Sequence, residues 1–267
     1  MVELSDAALL EAIRRGETPA LEALLERYQA LVYRFGMRMC RDPEDAADVL
    51  QDTLFAAARS AREFRGASSV STWLYTIARS FCIKRHRRSK FAPDREESLD
   101  AARDVACASD PEKSAAQGEI DTALQHAIAA LEPMYREVLV LRDGEGLTAA
   151  EVADIVGISV DAVKSRLHRA RAVVREALAP TLGIGESSVD PRCPDVVELF
   201  SRHVEGDISA TICAEMERHL ESCAQCRVRC DSLREVLGRC RTSTPVVPEK
   251  VKREVRRALH ASLAKLA

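Results

Sequence analysis

The sequence predicts an all-α protein built from a few small helical domains. Apolar residues make up 46% of the 267 residues, yet aromatic residues make up only 4%, and there are few Gly and Pro. This balance, with Ala, Leu and Val supplying the apolar side chains, is typical of packed helices. At this length the chain should hold two or three domains rather than one large one.

Two amphipathic helices are predicted between residues 5 and 40, with a break at residues 15–19. The next helix begins after Asp42, which can cap it, and Pro43 occupies its first position. One face of this helix carries what we call the acidic stripe, formed by Asp45, Asp48, Gln51 and Asp52. Such a stripe is either a solvated face or a docking surface, and the residues alone leave both interpretations open.

A Gly/Ser loop at residues 66–71 leads into a helix that holds Trp73, which we expect in the core. The helix ends in a basic run that includes Lys84, Arg85, Arg87 and Arg88. A loop followed by cations can hold an unstacked base and its phosphates. Basic residues thus concentrate in 79–95 and 164–175, although the formal net charge is only -3. This segregation favours separate surfaces for nucleic acid and for a protein partner.

Residues 91–118 lack a sustained apolar period and are interpreted as a linker between a first domain, 1–90, and a second, 119–180. Within the second, Thr148 and Glu151 can form a capping box, and Gly157 can end that helix. Ser159 caps another helix, whose outward face carries Lys164, Ser165, Arg166, His168, Arg169 and Arg171. The pattern predicts a helix-turn-helix rather than a solvated basic helix, and Lys164, Ser165, His168 and Arg169 lie near enough its start to reach base edges.

Six of the nine cysteines lie between Cys193 and Cys240. Because the chain shows neither a secretory signal nor a membrane span, we expect a cytoplasmic protein whose clustered cysteines serve metal or redox chemistry. His219, Cys223 and Cys226 fall on one stripe at helical spacing, and Cys193 is the first choice for a fourth ligand. Three further cysteines are candidate ligands, as substitutes or for a second exchangeable site: Cys213, Cys230 and Cys240.

The motif at residues 45–52 (DAADVLQD), Phe64-Arg65-Gly66 and the run at 72–78 (TWLYTIA) resemble region 2 of the extracytoplasmic-function sigma factors of the sigma-70 family. Residues from Leu131 through the helix-turn-helix are similar to region 4. The resemblance implies that the acidic stripe docks on core RNA polymerase. It also implies that loop 66–71 and Ser80, where many relatives carry Asn, take a flipped base of the −10 element. The helix-turn-helix would read the −35 element.

Residues 190–267 extend beyond a typical member of that group and resemble a zinc-binding anti-sigma domain, whose ligands match Cys193, His219, Cys223 and Cys226. Fused to a sigma factor, the segment is similar to the CorE-type proteins, which respond to metal ions. We therefore expect a non-enzymatic sigma factor controlled by zinc or cadmium, with copper second. It would act without a membrane and without a separate anti-sigma factor. Three alternatives are a structural zinc domain, a thiol redox sensor, and a stand-alone helix-turn-helix regulator. The basic helix at 249–264 would cover the acidic stripe or remain solvated.

Overall fold

The computed structural model describes residues 4–40, 42–91, 111–184, 190–242 and 246–263, and no strand occurs among them. This confirms the all-α prediction. The helices in these ranges are α1 Asp6–Arg14, α2 Thr18–Cys40, α3 Pro43–Ser60, α4 Val70–Phe91, α5 Pro111–Ala130, α6 Pro133–Leu139, α7 Ala149–Val156, α8 Val160–Leu178, α9 Val196–Val204, α10 Ala210–Ser222, α11 Ala224–Thr242 and α12 Glu249–Leu263.

The chain divides into two compact units, one formed by residues 1–105 with 244–267 and the other by residues 106–243. The helix α12 therefore groups with the N-terminal helices, although the sequence interpretation assigned residues 190–267 to one domain. Helices α4 and α5 run into the segment interpreted as a linker, and residues 92–110 of that segment lie outside the described residues.

The first unit consists of α1–α4 and α12. Asp42 caps α3 as predicted, because its side chain accepts hydrogen bonds from the backbone N–H groups of Glu44 and Asp45. Helices α2 and α3 cross closely at Gly36, where an added Cβ would lie 3.3 Å from the backbone of Ala46. The core between the helices is apolar and includes Leu24, Leu25, Val32, Phe35, Val49, Leu50, Leu54 and Leu74.

The second unit is centred on α8. The predicted capping box at Thr148 is present, and Gly157 ends α7 in the left-handed conformation with φ of 77°. Ser159 caps α8, which buries Val163, Leu167, Ala170, Val174 and Leu178. The helix-turn-helix expected from the sequence is therefore formed. One feature that the sequence did not indicate is a π-helical segment, Val140–Gly144, which follows α6 directly.

Helices α9–α11 have a small core of their own in the second unit. It contains Val197, Phe200, Met216, Cys230 and Leu233. Ala172 of α8 packs against this core, so α8 contributes to the packing of both the helix-turn-helix and the cysteine-rich helices. None of the described helices has the length and apolar character that a membrane span requires.

Candidate metal centre and nucleic-acid interface

The structure brings together four of the predicted metal ligands. The ligand atoms of Cys193, His219, Cys223 and Cys226 all lie within 4.8 Å of one another. Cys193 precedes α9, His219 lies in the last turn of α10, and Cys226 lies in the first turn of α11. Three sulfurs and one imidazole at this separation match the donor set and spacing of a tetrahedral zinc site.

The electrostatics of this Cys3His group suit a bound cation. The backbone N–H of Cys226 lowers the pKa of the Cys223 thiol, which favours the thiolate there. Burial raises the pKa of Cys226 to about 12, with the neighbouring thiols of Cys223 and Cys193 adding to the effect. His219 Nε2 is buried without a hydrogen-bond partner among the described residues. Because a buried polar atom needs a partner, this nitrogen fits a metal ligand.

The local backbone differs from the sequence prediction in one respect. His219, Cys223 and Cys226 were expected on one continuous helical stripe, and this expectation is wrong because α10 ends at Ser222. Cys223 is extended, with φ of -114° and ψ of 104°, and α11 begins at the following residue. Because of this break, His219 belongs to α10 and Cys226 belongs to α11.

The remaining candidate ligands lie outside the Cys3His group. Cys213 Sγ lies 3.5 Å from His203 Nδ1 and donates to Glu217 Oε1 at 3.7 Å. Cys230 is 1% exposed and belongs to the core of α9–α11. Cys240 is also buried. Of these three, only Cys213 is placed where an ion from solvent could reach the sulfur.

Apart from Arg171, the predicted outward face of α8 has five members, and they fall into two sets. Ser165 and Arg169 are exposed, and Arg169 donates to the Tyr135 hydroxyl at 3.2 Å. Arg166 lies 3.7 Å from Glu137. Lys164 instead pairs with Asp207 at 3.1 Å, and His168 lies close to the start of α9. Part of the predicted base-reading face is therefore turned toward the cysteine-rich helices.

Arg171 was assigned to the outward basic face, and this assignment is wrong because its side chain is fully buried. The guanidinium donates to both carboxylate oxygens of Asp143, at 2.8 and 2.7 Å, and to Glu205 at 2.7 Å. It also donates to the Ser201 hydroxyl at 2.8 Å. Burial by itself lowers the pKa of Arg171, but the hydrogen bonds and charges of Asp143 and Glu205 outweigh it and raise the pKa.

The buried network around Arg171 joins α9 and the residue after it to α8 and to the π-helical segment Val140–Gly144. Glu205 follows α9 directly and also accepts from Arg142 at 2.9 Å. Asp143 and Arg142 both come from the π-helical segment. Sequence reasoning missed this network because the partners are separated by tens of residues. The one available signal was the helical register of α8, which places Arg171 on the same side as the buried residues Leu167 and Val174.

In the first unit, the acidic stripe is tied to α4 by a residue that was predicted to contact DNA. Arg85 donates to Asp45 at 2.7 Å and to Asp48 at 2.8 Å. Asp48 is exposed, whereas Gln51 and Asp52 are half-buried. Burial lowers the pKa of Arg85, but its bonds to Asp45 and Asp48 outweigh this and raise it.

The loop before α4 is exposed from Arg65 to Ser69, and Gly66 has a positive φ of 74°. Phe64 and Trp73 flank it as a stacked pair with ring centroids 4.7 Å apart, so Trp73 is half-buried rather than fully in the core. Ser80 is exposed, and its hydroxyl donates to the Ile77 carbonyl at 2.7 Å. Lys84 is also exposed. The side chains of Arg87 and Arg88 lie outside the described residues.

Helix α12 packs within the first unit against α3, the helix that carries the acidic stripe. Val255 and Leu259 are buried, and they line a small cleft together with Leu25 and Leu54. Arg256 pairs with Glu26 at 2.7 Å, and His260 Nδ1 lies 3.0 Å from Glu22. Of the two alternatives left by the sequence, the solvated end is wrong because Val255 and Leu259 are buried. Cover of the acidic stripe stays a prediction, since the cleft includes Leu54 of α3 but no residue of the stripe.

Comparisons with known protein families agree with this arrangement. Residues 24–92 match the family Sigma-70 region 2, and residues 121–173 match Sigma-70, region 4. Residues 193–227 match a zinc-finger family, over a range that includes Cys193, His219, Cys223 and Cys226.

The chain also resembles individual proteins. It is 35% identical over 190 residues to the ECF RNA polymerase sigma factor SigM of Mycobacterium tuberculosis, covering 71% of this chain and 91% of the relative. A solved structure of the sigma factor RpoE in complex with the anti-sigma factor NepR, from Bartonella quintana, has a TM-score of 0.43 and 21% identity, covering 62% of this chain and 97% of that one. CnrH in complex with the cytosolic domain of CnrY has a TM-score of 0.49 and 23% identity, covering 64% and 96%.

These solved structures correct one expectation about partners. We expected that no separate anti-sigma factor is required. Both of these structures, however, are complexes with a second protein: RpoE is bound to the anti-sigma factor NepR, and CnrH is bound to the cytosolic domain of CnrY. The expectation is wrong on this finding.

Proposed function

The chain belongs to the extracytoplasmic-function group of the sigma-70 family and carries a C-terminal zinc-finger domain, and from that premise we propose that metal binding to this domain controls where and when it directs RNA polymerase. Sigma factors of this family initiate transcription and are not catalysts by themselves. The proposed partners are core RNA polymerase and promoter DNA with −35 and −10 elements, met in the cytoplasm. The proposed ion is zinc or cadmium, with copper second.

The observation that carries the proposal is the packing of the Cys3His domain on the recognition helix. On α8, Arg171 pairs with Glu205, which directly follows α9. The next residue, Ala172, packs against the core around Phe200. Lys164, near the start of α8, is paired with Asp207. A cation paired with a carboxylate of its own chain must give up that pair before it can neutralise a DNA phosphate. The docked domain therefore competes with the −35 element for one face of α8.

The Cys3His group lies where an ion can act on this packing. Its ligands come from the segment before α9, from the end of α10 and from the start of α11, so a bound ion fixes these helices to one another. Loss of the ion, or its replacement by a softer one that prefers thiolates, would change the shape of the domain that packs on α8. Zinc, when bound, supplies only this cross-link and no chemical step.

The first unit has the proposed roles of docking on core polymerase and of contacting the −10 element. The acidic stripe offers Asp48 to a partner, while Arg85 holds Asp45 and Asp48 in place. The exposed loop after Arg65, with the stacked Phe64 and Trp73 behind it, supports the contact with an unstacked base. Lys84 and Ser80 are exposed on the helix that follows.

A second candidate is a thiol redox sensor, and one observation favours it. Cys193 Sγ and Cys223 Sγ are 3.9 Å apart, and the backbone N–H of Cys226 lowers the pKa of Cys223. A low-pKa thiol beside another thiol is the arrangement that oxidants convert to a disulfide. In that case diamide without added metal would change transcription, whereas metal under reducing conditions would not.

Run-off transcription with purified protein and core polymerase tests the proposal. Under reducing conditions, zinc, cadmium and copper are each titrated against a chelated control. We expect transcript yield to change with one of these ions in the wild-type chain and to become insensitive in Cys223→Ser. The matched control is Cys213→Ser, which removes a half-buried cysteine of the same domain that lies outside the Cys3His group. A metal response that survives in Cys223→Ser would overturn the proposal.

A further inference from the structure

A second cluster of potential ligands lies at the contact between α8 and α9. The ligand atoms of His168, Asp195 and Glu198 all lie within 4.8 Å of one another. His168 belongs to the recognition helix, Asp195 caps α9, and Glu198 lies in the first turn of α9. His168 is half-buried, and the two carboxylates are exposed, so that an ion could enter from solvent. None of the three residues belongs to the Cys3His group.

In the part of the chain that the structure describes, the two carboxylates of this cluster lack a close ion pair, although Asp195 interacts electrostatically with the Arg175 guanidinium. Nearby cations are paired elsewhere: Lys164 with Asp207, Arg171 with Asp143 and Glu205, and Arg175 with Glu176. Among the described residues, no ion pair joins Asp195 or Glu198 to a cation. Two carboxylates at this separation repel each other, and a divalent cation between them would remove the repulsion.

The orientation of two of the side chains also points to a ligand. Asp195 Oδ1 accepts from the backbone N–H groups of Val197 and Glu198, at 3.1 and 3.0 Å, which fixes the carboxylate while leaving its other oxygen available. His168 Nδ1 is buried and has no hydrogen-bond partner among the described residues. An imidazole with an unsatisfied nitrogen beside two carboxylates is a donor set that zinc and cobalt(II) accept.

We propose that His168, Asp195 and Glu198 bind a second divalent transition-metal ion, such as zinc. This ion clamps α8, the recognition helix, to the cysteine-rich domain. The inference deepens the proposed function and rests on it. The Cys3His ion shapes the domain, whereas the ion at His168 holds the domain on α8. Filling the second site takes the His168 ring away from base edges and therefore weakens binding to the −35 element.

Metal stoichiometry of the full chain tests the site directly. Equilibrium dialysis of reduced protein against zinc should give two tightly bound zinc ions per chain in the wild type. In Glu198→Gln only one zinc ion should bind tightly, and the affinity for a second should fall by at least about tenfold. The matched control is Glu215→Gln, which removes an exposed carboxylate of α10 and should keep two equivalents. One equivalent in the wild type, or two in Glu198→Gln, would overturn the proposal. Many weak equivalents unaffected by either variant would mean adventitious binding and would overturn it equally.

Cobalt(II) separates the two sites by spectrum. Binding to the Cys3His group should produce intense thiolate bands, whereas binding at His168 should add only weak absorption. Cys223→Ser should lose the intense bands and keep the weak ones. In parallel, filling the second site with zinc should weaken wild-type binding to a −35 duplex by about tenfold, a usual size for coupling between two sites, and should leave Glu198→Gln unchanged.

The two proposals fail in different ways. If transcription by Cys223→Ser still responds to metal, the proposed function fails whatever the stoichiometry. If only the second equivalent is missing, the proposed function stands and the clamp is wrong.

Discussion

At the scale of single residues, the Arg171 guanidinium has the environment of an interior ion pair. Its side chain is fully buried, and those of Asp143 and Glu205 are only 2% and 4% exposed. Desolvating three charges is costly, and the bonds among them offset that cost only while all three are present. Losing the cation would leave two carboxylates buried side by side.

We predict that Arg171→Met lowers the free energy of unfolding by about 3–5 kcal/mol, the usual cost of breaking a buried pair from one side. The control is Arg192→Met, whose side chain is 89% exposed and pairs with Asp190; there we expect a much smaller loss, because solvent screens an exposed pair. Urea unfolding of the full chain, followed by circular dichroism, measures both. Equal losses in the two variants would contradict the buried role of Arg171.

Two cysteines of the C-terminal domain differ in the direction of their pKa shifts. The backbone N–H of Cys226 lowers the pKa of Cys223, whereas burial, followed by the charge of Glu217, raises the pKa of Cys213. Both side chains are half-buried, so access to a reagent is similar.

Because the thiolate is the reactive form, alkylation of metal-free protein by iodoacetamide should reach its plateau at lower pH for Cys223 than for Cys213. Mass spectrometry of the peptides as a function of pH measures the two profiles. Added zinc should protect Cys223 and leave Cys213 reactive. Coinciding profiles, or protection of both cysteines, would rule out the assigned environments.

At the scale of elements, the predictions that held were those governed by local chemistry. Thr148, Gly157 and Ser159 lie where capping and a left-handed turn require them, and each requirement involves residues only a few positions apart. The break before α11 was missed because neither Ser222 nor Cys223 is a helix-breaking residue. The π-helical segment was missed because no local sequence signal at Val140–Gly144 marks a change from α-helical to π-helical hydrogen bonding.

Helix α12 illustrates the same limit at a longer distance. Its apolar stripe and its cations were evident in the sequence, but a stripe does not specify which surface it covers. In the structure the covered surface is chosen by shape and charge together, since Leu259 enters the cleft beside Leu25 while Arg256 meets Glu26.

At the scale of the whole molecule, the sequence separated a DNA-binding part from a cysteine-rich part but gave no sign of their contact. The four residues of the Cys3His group were predicted because a Cys-x-x-Cys pair and an upstream His lie close in the chain. The contacts of α8 with Asp207 and Glu205 connect residues more than thirty positions apart. A local sequence pattern carries no information about pairs at that separation. This contact makes the availability of Lys164 depend on the C-terminal domain.

The availability of Lys164 can be measured through the salt dependence of DNA binding. Each phosphate neutralised by a protein cation makes the plot of log K against log salt steeper by about 0.9. Asp207→Asn releases Lys164 from its 3.1 Å ion pair. We therefore predict tighter binding of the full chain to a −35 duplex, with a slope steeper by about 0.9, which corresponds to one additional phosphate contact.

Fluorescence anisotropy over a series of salt concentrations, at constant zinc, gives the slopes. The matched control is Asp231→Asn, which makes the same change in charge on α11, where Asp231 pairs with exposed Arg234. It should bind slightly more tightly through net charge alone and keep the wild-type slope. Equal slopes in all three proteins would mean that Lys164 does not contact phosphate even when released. The C-terminal domain would then have to act on promoter binding through other residues of α8.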